Sequence, residues 1–190
     1  MSSQEGITVM ALRVRNISAI LLIISVVLQR VTVFMWSGRN VLKWSVEMPT
    51  FLHWERGSMI AAFVVAALGI SLLEIVLREA GETVLAHLGA TAFLIGAVIG
   101  IIVEASVLST QGPMPALTVV TVAVLFVAEA ILGGSLAASN LLPAWIGWTV
   151  GVWNIGWLVV FAIAKPDDIY YPILHFFPLL LIGITLLVVH

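Results

Sequence analysis

The chain has 190 residues, of which 62% are hydrophobic and 9% charged, with a net charge of −2 and a mean hydropathy of +1.18. A soluble domain carries about 25% charged residues, so soluble globular and disordered classes are excluded. Eight scattered basic residues make no nucleic-acid-binding patch, and zero cysteines exclude disulfides, thiolate metal sites and cysteine nucleophiles.

Arg13 and Arg15 precede an apolar run from Ile17 to Leu28, but Gln29-Arg30 follows where a signal peptide would place small cleavage-site residues. The run is therefore read as a first membrane helix. Apolar segments bounded by charge, Gly or Pro then predict spans at 14–36, 58–78, 83–109, 115–139, 142–164 and 170–189. Each is close to the ~20 residues needed to cross ~30 Å of hydrocarbon. The connections at Glu79–Glu82, Gln111–Pro113, Ser139-Asn140 and Pro166–Asp168 are short, so consecutive helices are antiparallel neighbours. The expected fold is all-α: a single-domain polytopic membrane protein, a compact antiparallel bundle of six transmembrane helices.

An even number of crossings puts both termini on one side, A, and a long connection from Ser37 to Gly57 on the other, B. Arg13, Arg15 and Arg78 flank side A; Arg30, Arg39, Lys43, Arg56 and Lys165 flank side B. The basic pair abutting the first span assigns side A to the cytoplasm. Trp44 and Trp54 suit the membrane interface, and Pro49 suits the first turn of an extended second helix.

Three helices share a Gly followed two residues later by a hydroxyl: Gly69 and Ser71, Gly133 and Ser135, Gly183 and Thr185. Helix-hairpin duplication and the general use of small residues at packed membrane helices both account for it. Ala92, Gly96 and Gly100 recur every four residues, as do Gly147 and Gly151, and these faces are expected to point inward.

Polar groups on such faces are the candidate site. Glu104 extends the Gly96–Gly100 face near side B, and His175 lies at matching depth on the last helix. Together they form a candidate acid–base or ligand-polarising pair, a carboxylate beside an imidazole; a buried ion pair is the structural alternative. His53, Arg56, Tyr171, Gln29, Arg30, Glu55, Asp167 and Tyr170 add polar chemistry at the same end. Glu129 and Asn154 fall near mid-membrane, where a carboxylate must be paired, water-facing or protonated; hydrogen bonding between them is the structural reading. His53 and His175 near side B, with His87 and His190 near side A, also leave room for a b-type haem held between helices. No cofactor is specified.

The stretch Leu142-Pro143-Ala144-Trp145-Ile146-Gly147-Trp148, followed by Tyr171-Pro172-Ile173-Leu174 and Pro178 to Leu187, resembles a pattern in small, uncharacterised bacterial multi-helix membrane proteins. The resemblance covers the last third of the chain. It implies a bundle in the bacterial cytoplasmic membrane, and no catalytic residue carries over from a group without an assigned activity.

Three functions follow. The leading one is a bundle that binds an apolar small molecule, such as a lipid, quinone or isoprenoid, or serves as an accessory subunit of a membrane complex. The second is an intramembrane acid–base enzyme using Glu104, His175 and Glu129. The third is a small transporter, suggested by Gly- and Pro-interrupted helices and a mid-membrane carboxylate. The expected partners are membrane lipids, with an apolar ligand or other membrane subunits, and nucleic acid is not one. Phosphate-loop, His-Glu-x-x-His, Gly-x-Ser-x-Gly and Asp-rich diphosphate motifs are absent from the sequence.

Overall fold

The computed structural model describes residues 3–44, 48–109, 114–164 and 176–189. Within them the chain forms six helices: α1 (Ser3–Asn40), α2 (Met48–Glu79), α3 (Val84–Leu108), α4 (Pro115–Ala138), α5 (Ala144–Ala164) and α6 (Phe176–Val188). The first five are long and apolar enough to cross a membrane. The described part of α6 is a shorter apolar helix, and residues 170–175 of the expected sixth span lie outside the described residues.

Local chemistry sets the boundaries. Gly81, at φ 94°, ends α2: Gly81 N donates to Arg78 O (3.1 Å) and Glu82 N to Leu77 O (3.0 Å), a Schellman arrangement that satisfies the last carbonyls. Glu82 then caps α3, its Oε1 accepting from Leu85 N at 2.9 Å. Pro115 opens α4, where its missing N–H costs nothing.

The connection expected from Ser37 to Gly57 is helical at both ends: α1 runs to Asn40, and α2 starts at Met48 with Pro49 in its first turn, the extended second helix that Pro49 suggested. Hydropathy ends a span where charges begin, but a helix continues if those charges find partners on its neighbour. Trp44 folds back over the end of α1, its ring edge-on to Phe34 (5.2 Å) and to Phe51 (6.5 Å). A Cβ on Gly38 would overlap that ring.

Each helix packs on its neighbours in sequence, and α6 returns to α1; α5 touches α6 more lightly, with Trp153 tilted on Phe177 at 4.7 Å. Leu22, Ile70, Leu73, Phe93, Leu132 and Leu179 are among the fully buried core residues. The outward faces are apolar too: Val64, Ile95, Val152 and Ile163 are exposed, as helices facing lipid require.

Because lipid is as apolar as Leu, helices in hydrocarbon associate through close contact rather than hydrophobic gain. The inward glycine faces supply it. A Cβ on Gly133 would lie 2.5 Å from Gly151 N and 2.8 Å from Gly147 O, and one on Gly147 would strike Ala137 N. The backbones of α4 and α5 therefore touch. Gly96 receives Leu125 of α4, Gly100 receives the Phe63 ring of α2, and Gly69 and Gly183 both receive α1 around Leu22. Ser71 and Thr185 of the repeated signature donate to carbonyls of their own helices, Ala67 and Leu181. What the three segments share is a close approach, to α1 or to α5, rather than a common partner.

Replacing Gly147 by Leu should cost about 3 kcal/mol or more, because the obstacle is backbone. Gly156→Leu, where a Cβ meets nothing within 4 Å, should stay within about 0.5 kcal/mol. Thermal unfolding of the two variants in mild detergent checks this, and equal stability would contradict the α4–α5 contact.

Candidate functional site

Four charged side chains converge where α1, α2 and α3 meet at side B. The buried Glu55 carboxylate accepts from Arg39 in bidentate fashion, Nε to Oε2 at 3.1 Å and Nη2 to Oε1 at 3.0 Å. Arg56 lies 3.4 Å from Glu55 Oε1 through Nη2 and donates from Nη1 to Glu104 Oε2 at 2.8 Å. The order is Arg39, Glu55, Arg56, Glu104, with alternating sign and no net charge. Helical geometry fixes this order: Glu55 and Arg56 are adjacent on α2 and so diverge by ~100°, one towards α1 and the other towards α3. Glu104 is four residues from the end of α3, so the network lies near the boundary of the hydrocarbon, where charge is less costly than at its centre.

A polar stripe descends from this network along the buried face of α1. Ser18, Ser25, Gln29 and Thr32 recur at spacings of seven, four and three, which keeps them on one side of the helix, and all four are buried. Thr32 Oγ1 is 2.7 Å from Ser58 Oγ, Ser25 donates to Leu22 O, and Ser18 donates across to Gly69 O at 2.8 Å. Gln29 differs. It is fully buried, and neither Nε2 nor Oε1 has a hydrogen-bond partner among the described residues. An amide offers two donor hydrogens and a carbonyl acceptor, and leaving such groups unmet costs about 1–3 kcal/mol each.

Glu129 and Asn154 are both fully buried. The Gly133–Gly151 contact sets the register of α4 and α5 and places the two at one level across that interface. Asn154 Nδ2 donates to Val150 O at 2.9 Å within its own helix, while its Oδ1 has no partner among the described residues.

The structure thus brings Arg56 to Glu104. His53 lies on an exposed face of α2, and His175 and Tyr171 lie outside the described residues. His87, at side A, bonds Glu74 Oε1 at 3.0 Å, with Arg78 3.7 Å from the same oxygen, so His53 and His87 stand at opposite ends of the bundle. The sequence puts Gln29 and Glu55 in the side-B polar set without distinguishing them, and marks Arg39 only as a flanking charge. The 18, 25, 29, 32 spacing was the available signal for Gln29. The Arg39–Glu55 pair had none, since its partners lie in what hydropathy marks as a connection.

These features define a polytopic helical membrane protein with an ion-pair network at one end and a buried polar stripe leading inward from it. Compared with protein-family models, curated proteins and solved structures, the chain matches none.

Arg56→Leu and Glu104→Leu should each destabilise by about 2 kcal/mol, between the values for exposed and fully buried pairs. The double variant should lose less than the sum by about 1 kcal/mol, since it leaves no orphaned Glu104–Arg56 charge. A double-mutant cycle on thermal unfolding measures this, and strict additivity would show that the pair does not couple.

Proposed function

We propose that the bundle binds an apolar small molecule bearing a polar head, of the lipid, quinone or isoprenoid class, with the head hydrogen-bonded to Gln29. The observation that carries the reading is the Gln29 amide, wholly buried with both polar atoms unmet. A membrane protein keeps such a group at a cost unless something satisfies it. A carbonyl or hydroxyl head accepts from Nε2 or donates to Oε1, and the acyl or prenyl remainder lies among apolar helix faces. The Arg39–Glu55–Arg56–Glu104 network would hold the side-B ends of α1, α2 and α3 together around the ligand head. Glu104, engaged by Arg56, serves this reading as an electrostatic anchor. The setting is a bacterial cytoplasmic membrane with both termini on one face, as the resemblance of the C-terminal third and the helix count imply.

The test is purification of the full chain in mild detergent, followed by a visible spectrum and mass spectrometry of an organic extract. Wild type should retain one apolar compound near stoichiometric amount. Gln29→Leu should reduce retention about tenfold, the loss of roughly one neutral hydrogen bond, while leaving the unfolding temperature of the stripped protein unchanged or raised. Retention unaffected by Gln29→Leu, or a stripped variant markedly less stable than wild type, would overturn the assignment. A Soret band would place haem in the bundle instead.

A further inference from the structure

The end of the bundle opposite the Arg56 network contains a second feature, unconnected with the Gln29 reading. A cavity of about 570 Å³ lies between Arg15 of α1, the stretch 137–144 that carries α4 into α5, and Val189 after α6. Among its described lining residues Arg15 bears the single charge, and no carboxylate faces it. Arg39, Arg56 and Arg78 each lie against a carboxylate, Glu55, Glu104 and Glu74. Arg15, part-buried, has no carboxylate among the residues described beside it in the cavity, and its Nε, like that of Arg56, is shut off from solvent with no hydrogen-bond partner among the described residues.

The cavity wall complements an anion in a second way. α5 begins at Ala144 on that wall, and the start of a 21-residue helix presents positive dipole and N–H groups where phosphates bind well. Asn140, exposed on the same turn, adds an amide donor, whereas Ser139 Oγ already donates to Leu136 O. Leu141, Leu142, Pro143 and Val189 make the rest of the wall apolar. A guanidinium and a helix start on one cavity wall suit an oxyanion, phosphate among them, and an apolar flank at a membrane boundary suits one attached to a lipid.

We propose that this cavity binds a phosphate group through Arg15 and the start of α5. An anionic phospholipid headgroup and free phosphate share that chemistry, and the experiment separates them. The full chain in non-ionic detergent is titrated with phosphatidylglycerol, with diacylglycerol of the same acyl chains, or with sodium phosphate against sodium chloride of equal ionic strength. The unfolding temperature is the readout. Stabilisation by phosphatidylglycerol and not diacylglycerol supports a headgroup site, and stabilisation by sodium phosphate beyond chloride supports a free-phosphate site.

Arg15→Gln should weaken the responding titration about tenfold, while Arg13→Gln, an exposed cation two residues away, should leave it unchanged. Ala144→Glu keeps Arg15, sets a carboxylate in the cavity at a position where a helix start favours it, and should abolish the response with the ligand-free unfolding temperature preserved. That variant decides the matter if Arg15→Gln does not fold. Equal stabilisation by diacylglycerol, no response to either phosphate source, equal loss in Arg13→Gln, or a response that survives Ala144→Glu would each overturn the proposal.

Discussion

The bundle depends on the direct backbone contact of α4 and α5. In water a poorly packed helix pair is still driven together by excluded apolar surface; in lipid that drive is missing, and only dispersion at short range distinguishes a helix from the solvent around it. Gly133 and Gly147 remove the side chains that would hold the two axes apart. The same device recurs at lower intensity where Gly96 accepts Leu125, Gly100 accepts Phe63 and Gly183 accepts the α1 backbone at Ala19. α1 lies between glycines of α2 and α6, which explains how it buries a continuous face although both flanks remain apolar.

Polar groups follow a depth rule. Charges cluster where helices run past the hydrocarbon: α1, with 38 residues, is about 57 Å long and exceeds a ~30 Å layer by several turns. The excess carries Arg39 to Glu55, and the shorter α3 ends just after Glu104. Side A has a smaller counterpart in Glu74, Arg78 and His87. Deeper positions such as Ser18, Ser25, Ser71 and Thr185 hold hydroxyls that return their hydrogens to nearby carbonyls, so they cost little. In the interior Ser135 Oγ and Asn154 Oδ1 each lack a partner among the described residues, and Gln29 departs furthest, with both amide atoms unmet; at the boundary part-buried Arg15 lacks a carboxylate among the described residues that line its cavity.

The two features divide the molecule. The side-B network is internally neutralised, with each of its carboxylates held by a guanidinium, which is why the proposed ligand there has an uncharged polar head. Among the described residues lining the side-A cavity the charge of Arg15 meets no carboxylate, which is why the proposed ligand there is an anion. Under the two proposals, a neutral network at one end and a guanidinium without a carboxylate partner at the other would suit different classes of ligand.

The sequence by itself determined the class and most of the framework. Apolar runs of membrane-spanning length, broken by Gly, Pro and charge, leave helices as the structure that satisfies the backbone in lipid, and glycines at four-residue spacing mark the faces that meet. It also ranked Glu104 as an inward carboxylate and put Arg56 at its end of the bundle. Tertiary structure decided who partners whom. Arg56 reaches Glu104 because α2 begins at Met48 rather than near Gly57, a helical extension stabilised by pairs such as Arg39–Glu55 that hydropathy reads as interruption. Gly133 meets α5 while Gly69 and Gly183 meet α1, although the three local sequences are alike, because the partner of a small residue is set by where the neighbouring helix lies and not by the residue itself. The unmet amide of Gln29 belongs to the same category: one-dimensional spacing places it on a buried face, but only the packed neighbours determine whether its hydrogen bonds are made.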